Sequence, residues 1–141
     1  MTAGRFRRVL VGWDGSAGAA EALDAAASIA DDGGHVVALA VLSPAFGVEA
    51  EADDRSERTT ISALAQEHLE RAREASPRGV RMSLQIVENG QAGQAICDYA
   101  AEHGFDLLVV GRHGDGGVLH PRLGRVAGAA VRGCAVPVLL L

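Results

Sequence analysis

A chain of 141 residues, 48% of them apolar, has the length of one domain and enough apolar material for a sizeable core. A net charge of −5 and a pI near 5.5 exclude the basic footprint of a nucleic-acid binder. Thirteen arginines and no lysine exclude a Walker-A lysine, Schiff-base chemistry and a lysine general base, so any phosphate must be met by backbone N–H groups, Arg, hydroxyls or a metal.

Short apolar runs alternate with segments of helical period. Residues 8–12, RVLVG, read as a buried strand, and Ser16 caps the Ala-rich helix that follows to about Ala30. Gly33 or Gly34 takes up the positive φ of its end. Residues 35–43, HVVALAVLS, form a near-continuous apolar strand, as in a parallel sheet covered on both faces. Residues 44–58 are acidic, contain Pro44 and show little periodicity, and read as a solvated loop. Ile61, Leu64, Ala65, His68, Leu69 and Ala72 then mark one face of an amphipathic helix.

Residues 80–87, VRMSLQIV, alternate strictly, the pattern of a half-exposed strand at a sheet edge. Asn89-Gly90 is a turn, and Ala92, Ala95, Ile96, Tyr99 and Ala100 form a third helix face that ends near Gly104. A fourth strand at 106–111, a glycine-rich loop, a helix near 123–132 and a last strand at 136–141 complete the order β-α-β-α-β-α-β-α-β. That alternation predicts an α/β fold: a single domain over 1–141, an open, doubly wound, parallel five-stranded sheet with helices on both faces.

Cys97 and Cys134 are far apart in sequence and form no CxxC, so two buried free thiols are expected rather than a disulfide or a zinc site. The apolar run near the N-terminus is too short for a signal peptide, and Ser43 and Pro44 interrupt the longest apolar stretch. A cytoplasmic protein without a membrane partner is expected.

In such folds ligands bind beyond the carboxyl ends of the strands, where strand order reverses. Two strand-to-helix exits meet that description: GWDGS at 12–16 and GRHGDGGVLHPRLGR at 111–125. In the second, Gly111 and Gly114 are spaced as GxxG directly after a strand, and Gly124 follows at the start of a helix. Glycines let backbone N–H groups approach a phosphate, and a helix N-terminus adds unpaired donors and partial positive charge. A plain flexible loop is the other reading of the same residues. Asp14 reads either as a turn residue before a helix or as a ligand-site carboxylate, which beside phosphates needs a cation or a ribose hydroxyl between. Trp13 reads either as packing or as an adenine-stacking ring.

Taken together, G-x2-G-x9-G after the fourth strand, RRVLVGWDGS, ALAVLSP, FDLLVVGRHG and CAVPVLLL resemble the universal stress protein family over nearly the whole chain. The resemblance implies the strand order 3-2-1-4-5 and a homodimer through the last strand, Val136 to Leu141. It implies ATP as the ligand and a regulatory role in stress adaptation. The Asp14 carboxylate beside phosphates then favours Mg²⁺ as a companion, and with no identifiable general base any hydrolysis is expected to be slow. The nucleotide-binding residues it implies are Gly111, Gly114 and Gly124 at the phosphates, with Arg112 and His113 as further donors. Asp14, next to Trp13, would lie near the nucleoside or the cation, Val41 at the adenine, and Arg125 and Val126 at the helix start. A nucleotide-free branch of the family, acting as a homodimeric interaction module, is the alternative. The chain departs from the ATP-binding pattern at Arg125, where that branch has Ser or Thr.

Overall fold

The computed structural model describes residues 6–42, 47–75, 79–112 and 125–141, with the side chains of residues 47–58, 61, 75 and 125 outside that description. Nine elements alternate along the chain: β1 (Arg8–Gly12), α1 (Ala17–Ile29), β2 (His35–Leu42), α2 (Gly47–Ala75), β3 (Arg81–Glu88), α3 (Ala92–Glu102), β4 (Leu107–Val110), α4 (Arg125–Gly133) and β5 (Val138–Leu140). The five strands form one sheet in the order β3-β2-β1-β4-β5, every pair parallel.

Strand composition follows from position in the sheet. β1, β2 and β4 are flanked on both sides and covered on both faces, and Val9, Leu10, Val11, Val36, Leu39, Leu108 and Val109 are fully buried. β3 stands at one edge, and its strict alternation sends Met82, Leu84 and Ile86 to the α1–α2 face. α1 and α2 cover that face through Ala22, Leu23, Ala26, Ala65 and Leu69. α3 and α4 cover the other through Ile96, Cys97, Ala100, Ala127 and Ala130, which meet Leu10, Leu39 and Leu108.

Local chemistry sets the helix limits. The Ser16 hydroxyl accepts the Ala19 N–H at 3.1 Å and caps α1. Gly33 after α1 and Gly104 after α3 adopt φ of 72° and 67°, left-handed conformations open to glycine at no steric cost. Asn89 Oδ1 accepts the Gln91 N–H at 2.8 Å and shapes the turn into α3.

Two expectations are corrected. Residues 47–58 are not a loop but the first half of α2, which runs unbroken for 29 residues. Beyond Gly47 the segment has neither Gly nor Pro and is rich in Ala, Glu and Arg, strong helix formers whose propensity needs no apolar stripe. The cysteines are not free thiols: Cys97 and Cys134 form a disulfide, with Cα atoms 5.0 Å apart. Adjacent packing of α3 and α4 on one face brings together residues separated by 37 positions.

At the amino ends of the strands, Arg8, His35 and Arg81 are register partners on three neighbouring strands. His35 Nε2 lies 2.9 Å from Ser83 Oγ, and the Arg8 guanidinium sits 4.7 Å from the centre of the Phe105 ring. Burial, then the charges of Arg81 and Arg8, hold the His35 imidazole below its ordinary pKa of 6.5. The unfolded chain therefore binds a proton that the folded chain refuses until lower pH. His35's contribution to stability is complete above pH 6.5 and is lost as pH falls through the folded value. An NMR titration should place the His35 midpoint below 6.5, and Arg81→Gln should move it upward. A midpoint at or above the ordinary value contradicts this.

Candidate functional site

The sheet reverses direction of winding between β1 and β4, so their carboxyl ends form the crevice. Gly12 ends β1 and Val110 ends β4 on the neighbouring strand. A Cβ on Gly12 would lie 3.1 Å from Val110 Cγ1, 3.4 Å from Ile96 Cδ1 and 4.0 Å from Val126 Cγ1. The first turn of α4, which contains Val126, thus packs over the end of β1. Gly111 serves the opposite face. A Cβ there would meet the Gly18 carbonyl carbon, oxygen and Cα at 3.2, 3.3 and 3.4 Å, in the early part of α1. At both glycines a Cβ would be tighter than an ordinary van der Waals contact, against side-chain atoms at Gly12 and against less yielding helix backbone at Gly111.

The β1–α1 loop is built the same way. Trp13 extends β1 by donating its N–H to the Leu39 carbonyl at 2.9 Å. Its indole is buried, with its ring centre 5.3 Å from that of His68 on α2, edge to face. This geometry serves the packing reading of Trp13, although Nε1 is buried with no hydrogen-bond partner among the described residues. Asp14 is exposed, and its Oδ1 accepts the Ser16 N–H at 2.9 Å, an Asx turn that fixes the entry to α1. Gly15 completes the turn at φ 80°, with Leu64 Cδ1 of α2 lying 3.4 Å from where its Cβ would be. Asp14 is therefore a turn residue, engaged through Oδ1.

Arg112 is exposed, and its backbone N–H is committed to the Leu141 carbonyl at 2.8 Å, which extends the β4–β5 pairing. That N–H is therefore not free for a ligand. Val41 is half-buried on β2, two residues past the Leu39 register partner of Gly12, so it stands above the end of β1.

The structure thus brings Asp14, Gly111, Arg112, Val126 and Val41 to one end of the sheet, with Trp13 beneath them. His113, Gly114 and Gly124 lie outside the described residues, as does the side chain of Arg125. Gly12, Gly18 and Leu64 were not among the expected site residues. The glycines are visible in GWDGS and in SAGAA, but only the close approach of β1, β4, α1 and α4 reveals their purpose. Among the described residues, no three His, Cys, Asp or Glu side chains gather as a metal site, and no helix is long and apolar enough to cross a membrane.

The model of the universal stress protein family matches residues 5–141. No curated protein sequence matches. Among solved structures, one described as a universal stress protein in complex with cAMP is 26% identical with a TM-score of 0.69, the match covering 97% of each chain. A universal stress protein from Lactobacillus plantarum is 23% identical with a TM-score of 0.72, over 99% of both chains. A family member from Arabidopsis thaliana with AMP bound is 18% identical with a TM-score of 0.59, over 95% of this chain and 90% of that one. The family match over almost the full length, on the strand order β3-β2-β1-β4-β5, identifies the chain as a member of the universal stress protein family.

Proposed function

We propose that this protein binds an adenine nucleotide, ATP accompanied by Mg²⁺, at the carboxyl ends of β1 and β4. In this reading it acts as a cytoplasmic stress-response regulator with at most slow hydrolysis. The observation that carries it is the convergence of the Asp14 turn, the Gly111 exit and the first turn of α4 at one end of the sheet. Gly114 and Gly124 continue that exit in sequence with the phosphate-binding spacing. The cAMP and AMP found in two relatives support an adenine nucleotide as the ligand class.

The residues fit the ligand's chemistry. Bound Mg²⁺ would neutralise phosphate charge, and the exposed Asp14 would offer its carboxylate to the cation or to a ribose hydroxyl. The start of α4 supplies backbone donors and a partial positive charge for phosphate oxygens. Adenine would lie against backbone groups near Val41, a contact that needs no particular side chain. Arg125 replaces a hydroxyl by a cation, and in this reading its guanidinium bonds a phosphate.

Arg125→Ala is expected to weaken ATP binding by roughly one to two orders of magnitude, read by calorimetry. Unchanged affinity would show that the guanidinium does not touch the ligand. The reading as a whole is tested by mass spectrometry of nucleotide released when freshly purified protein is denatured.

A second reading, a nucleotide-free homodimeric module, is favoured by the sheet edge. β5 is an edge strand with Val138, Leu139 and Leu140 only half-buried, and Leu141 and Val131 are 38% and 57% exposed. An apolar edge of this kind invites pairing with a second copy. A dimer whose thermal stability ignores ATP would favour this reading over the first.

A further inference from the structure

α4 is docked by little apolar surface. It is nine residues long, short of what a helix needs to hold itself in water. Its buried side chains are Ala127 and Ala130; Val126 is half-buried, and Gly128 and Gly133 lower its intrinsic stability. Its carboxyl end is instead tied covalently. The Cys134 N–H closes on the Ala130 carbonyl at 3.2 Å, and the Cys134 sulfur is bonded to Cys97 on α3. α3 is the better anchored helix, with Ile96, Cys97 and Ala100 buried. Cys97 is 4% exposed and Cys134 half-buried, so a reagent reaches the bond from the Cys134 side.

We propose that Cys97 and Cys134 form a reversible redox site, whose bond clamps α4 onto α3 and whose reduction releases α4. A peroxide is the oxidant. The Cys134 thiolate attacks one oxygen of hydrogen peroxide, the O–O bond breaks, and a sulfenic acid and hydroxide form. The Cys97 thiolate then attacks that sulfur, the S–S bond forms, the S–O bond breaks, and hydroxide departs. The two thiol protons convert both hydroxides to water, and the two electrons lost by sulfur are those gained by the peroxide. A dithiol reverses the step. Its thiolate attacks the Cys134 sulfur, Cys97 leaves as a thiolate and takes a proton, and the second thiol of the reductant resolves the mixed disulfide.

The clamp stands independently of the nucleotide reading. Its consequence for ligand binding rests on that reading, because Val126 at the other end of α4 lies over the end of β1.

Hydrogen–deuterium exchange of the full chain, without nucleotide, tests the clamp in the oxidised and dithiothreitol-reduced forms, with thiol labelling to count the bond. Dithiothreitol should open the bond in the native protein, and stoichiometric hydrogen peroxide should restore it. Reduction should speed amide exchange in α4 by about tenfold or more while leaving α1 unchanged. Cys134→Ala should show the fast exchange with or without reductant. Three results would overturn the proposal: a bond that opens only in denaturant, equal α4 exchange in the two forms, or protection lost throughout α1 and the sheet on reduction. None of these results bears on whether ATP binds.

Discussion

Gly111→Val is expected to lower affinity for ATP by about 100-fold or more and to destabilise the fold as well. The Cβ alone would press on three backbone atoms of Gly18 at 3.2–3.4 Å, and backbone of a packed helix yields less than a side chain. Valine adds two methyl groups to that contact. Relief must come from moving β4 away from α1, which separates the two strand exits that form the crevice. Overpacking of this kind costs roughly 1–3 kcal/mol, visible as a fall in Tm of several degrees. Gly90→Ala is the control, since a Cβ there meets nothing within 4 Å. Both quantities should then stay at their original values. A Gly111→Val protein that binds ATP normally would place the ligand somewhere other than the end of β4.

Leu108→Ala is expected to destabilise the protein by roughly 2–5 kcal/mol. Leu108 is fully buried at the centre of β4, between Leu10 of β1 and Val138 of β5. The helices on that face bring Ala100, Ala127 and Ala130 to the same cluster beside Ile96 and Cys97. Alanine side chains are too short to lean into a vacated space, so they leave most of the cavity unfilled. Urea unfolding should show a lower midpoint with unchanged slope. Val131→Ala, at a position 57% exposed, should change stability by less than about 0.5 kcal/mol.

The alternation of element types was legible because sheet position writes itself into local pattern. The run HVVALAVL reads as covered on both faces and lies second in the sheet, while VRMSLQIV alternates and lies at its edge. The Ser16 cap was equally local. The order 3-2-1-4-5 came from the family resemblance, because the same alternation of strands and helices is compatible with other orders. The first half of α2 was missed because its pattern lacks an apolar period, and acidic content with Pro44 suggested a loop. The disulfide was invisible for a different reason: spacing carries no information about two helices that become neighbours only by packing on one face of the sheet.

The site was legible in outline only. Strand exits and glycine spacing put Asp14 and Gly111 just beyond the carboxyl ends of two strands, and the structure has them there, after β1 and β4. The sequence could not show that Gly111 is required by Gly18, that the Arg112 N–H is taken by Leu141, or that Asp14 already shapes the turn into α1. Each of those duties is structural, while the Arg112 and Asp14 side chains remain exposed. Trp13 shows the opposite balance, since burial against His68 commits the ring to the core.

Calorimetric titration of the purified protein with ATP in the presence of Mg²⁺ addresses the central claim most directly. The account predicts saturable heat with a stoichiometry of one nucleotide per chain, sharply reduced by Gly111→Val and unaffected by Gly90→Ala. No heat and no thermal shift at millimolar ATP, from protein shown to be free of bound nucleotide, would contradict it.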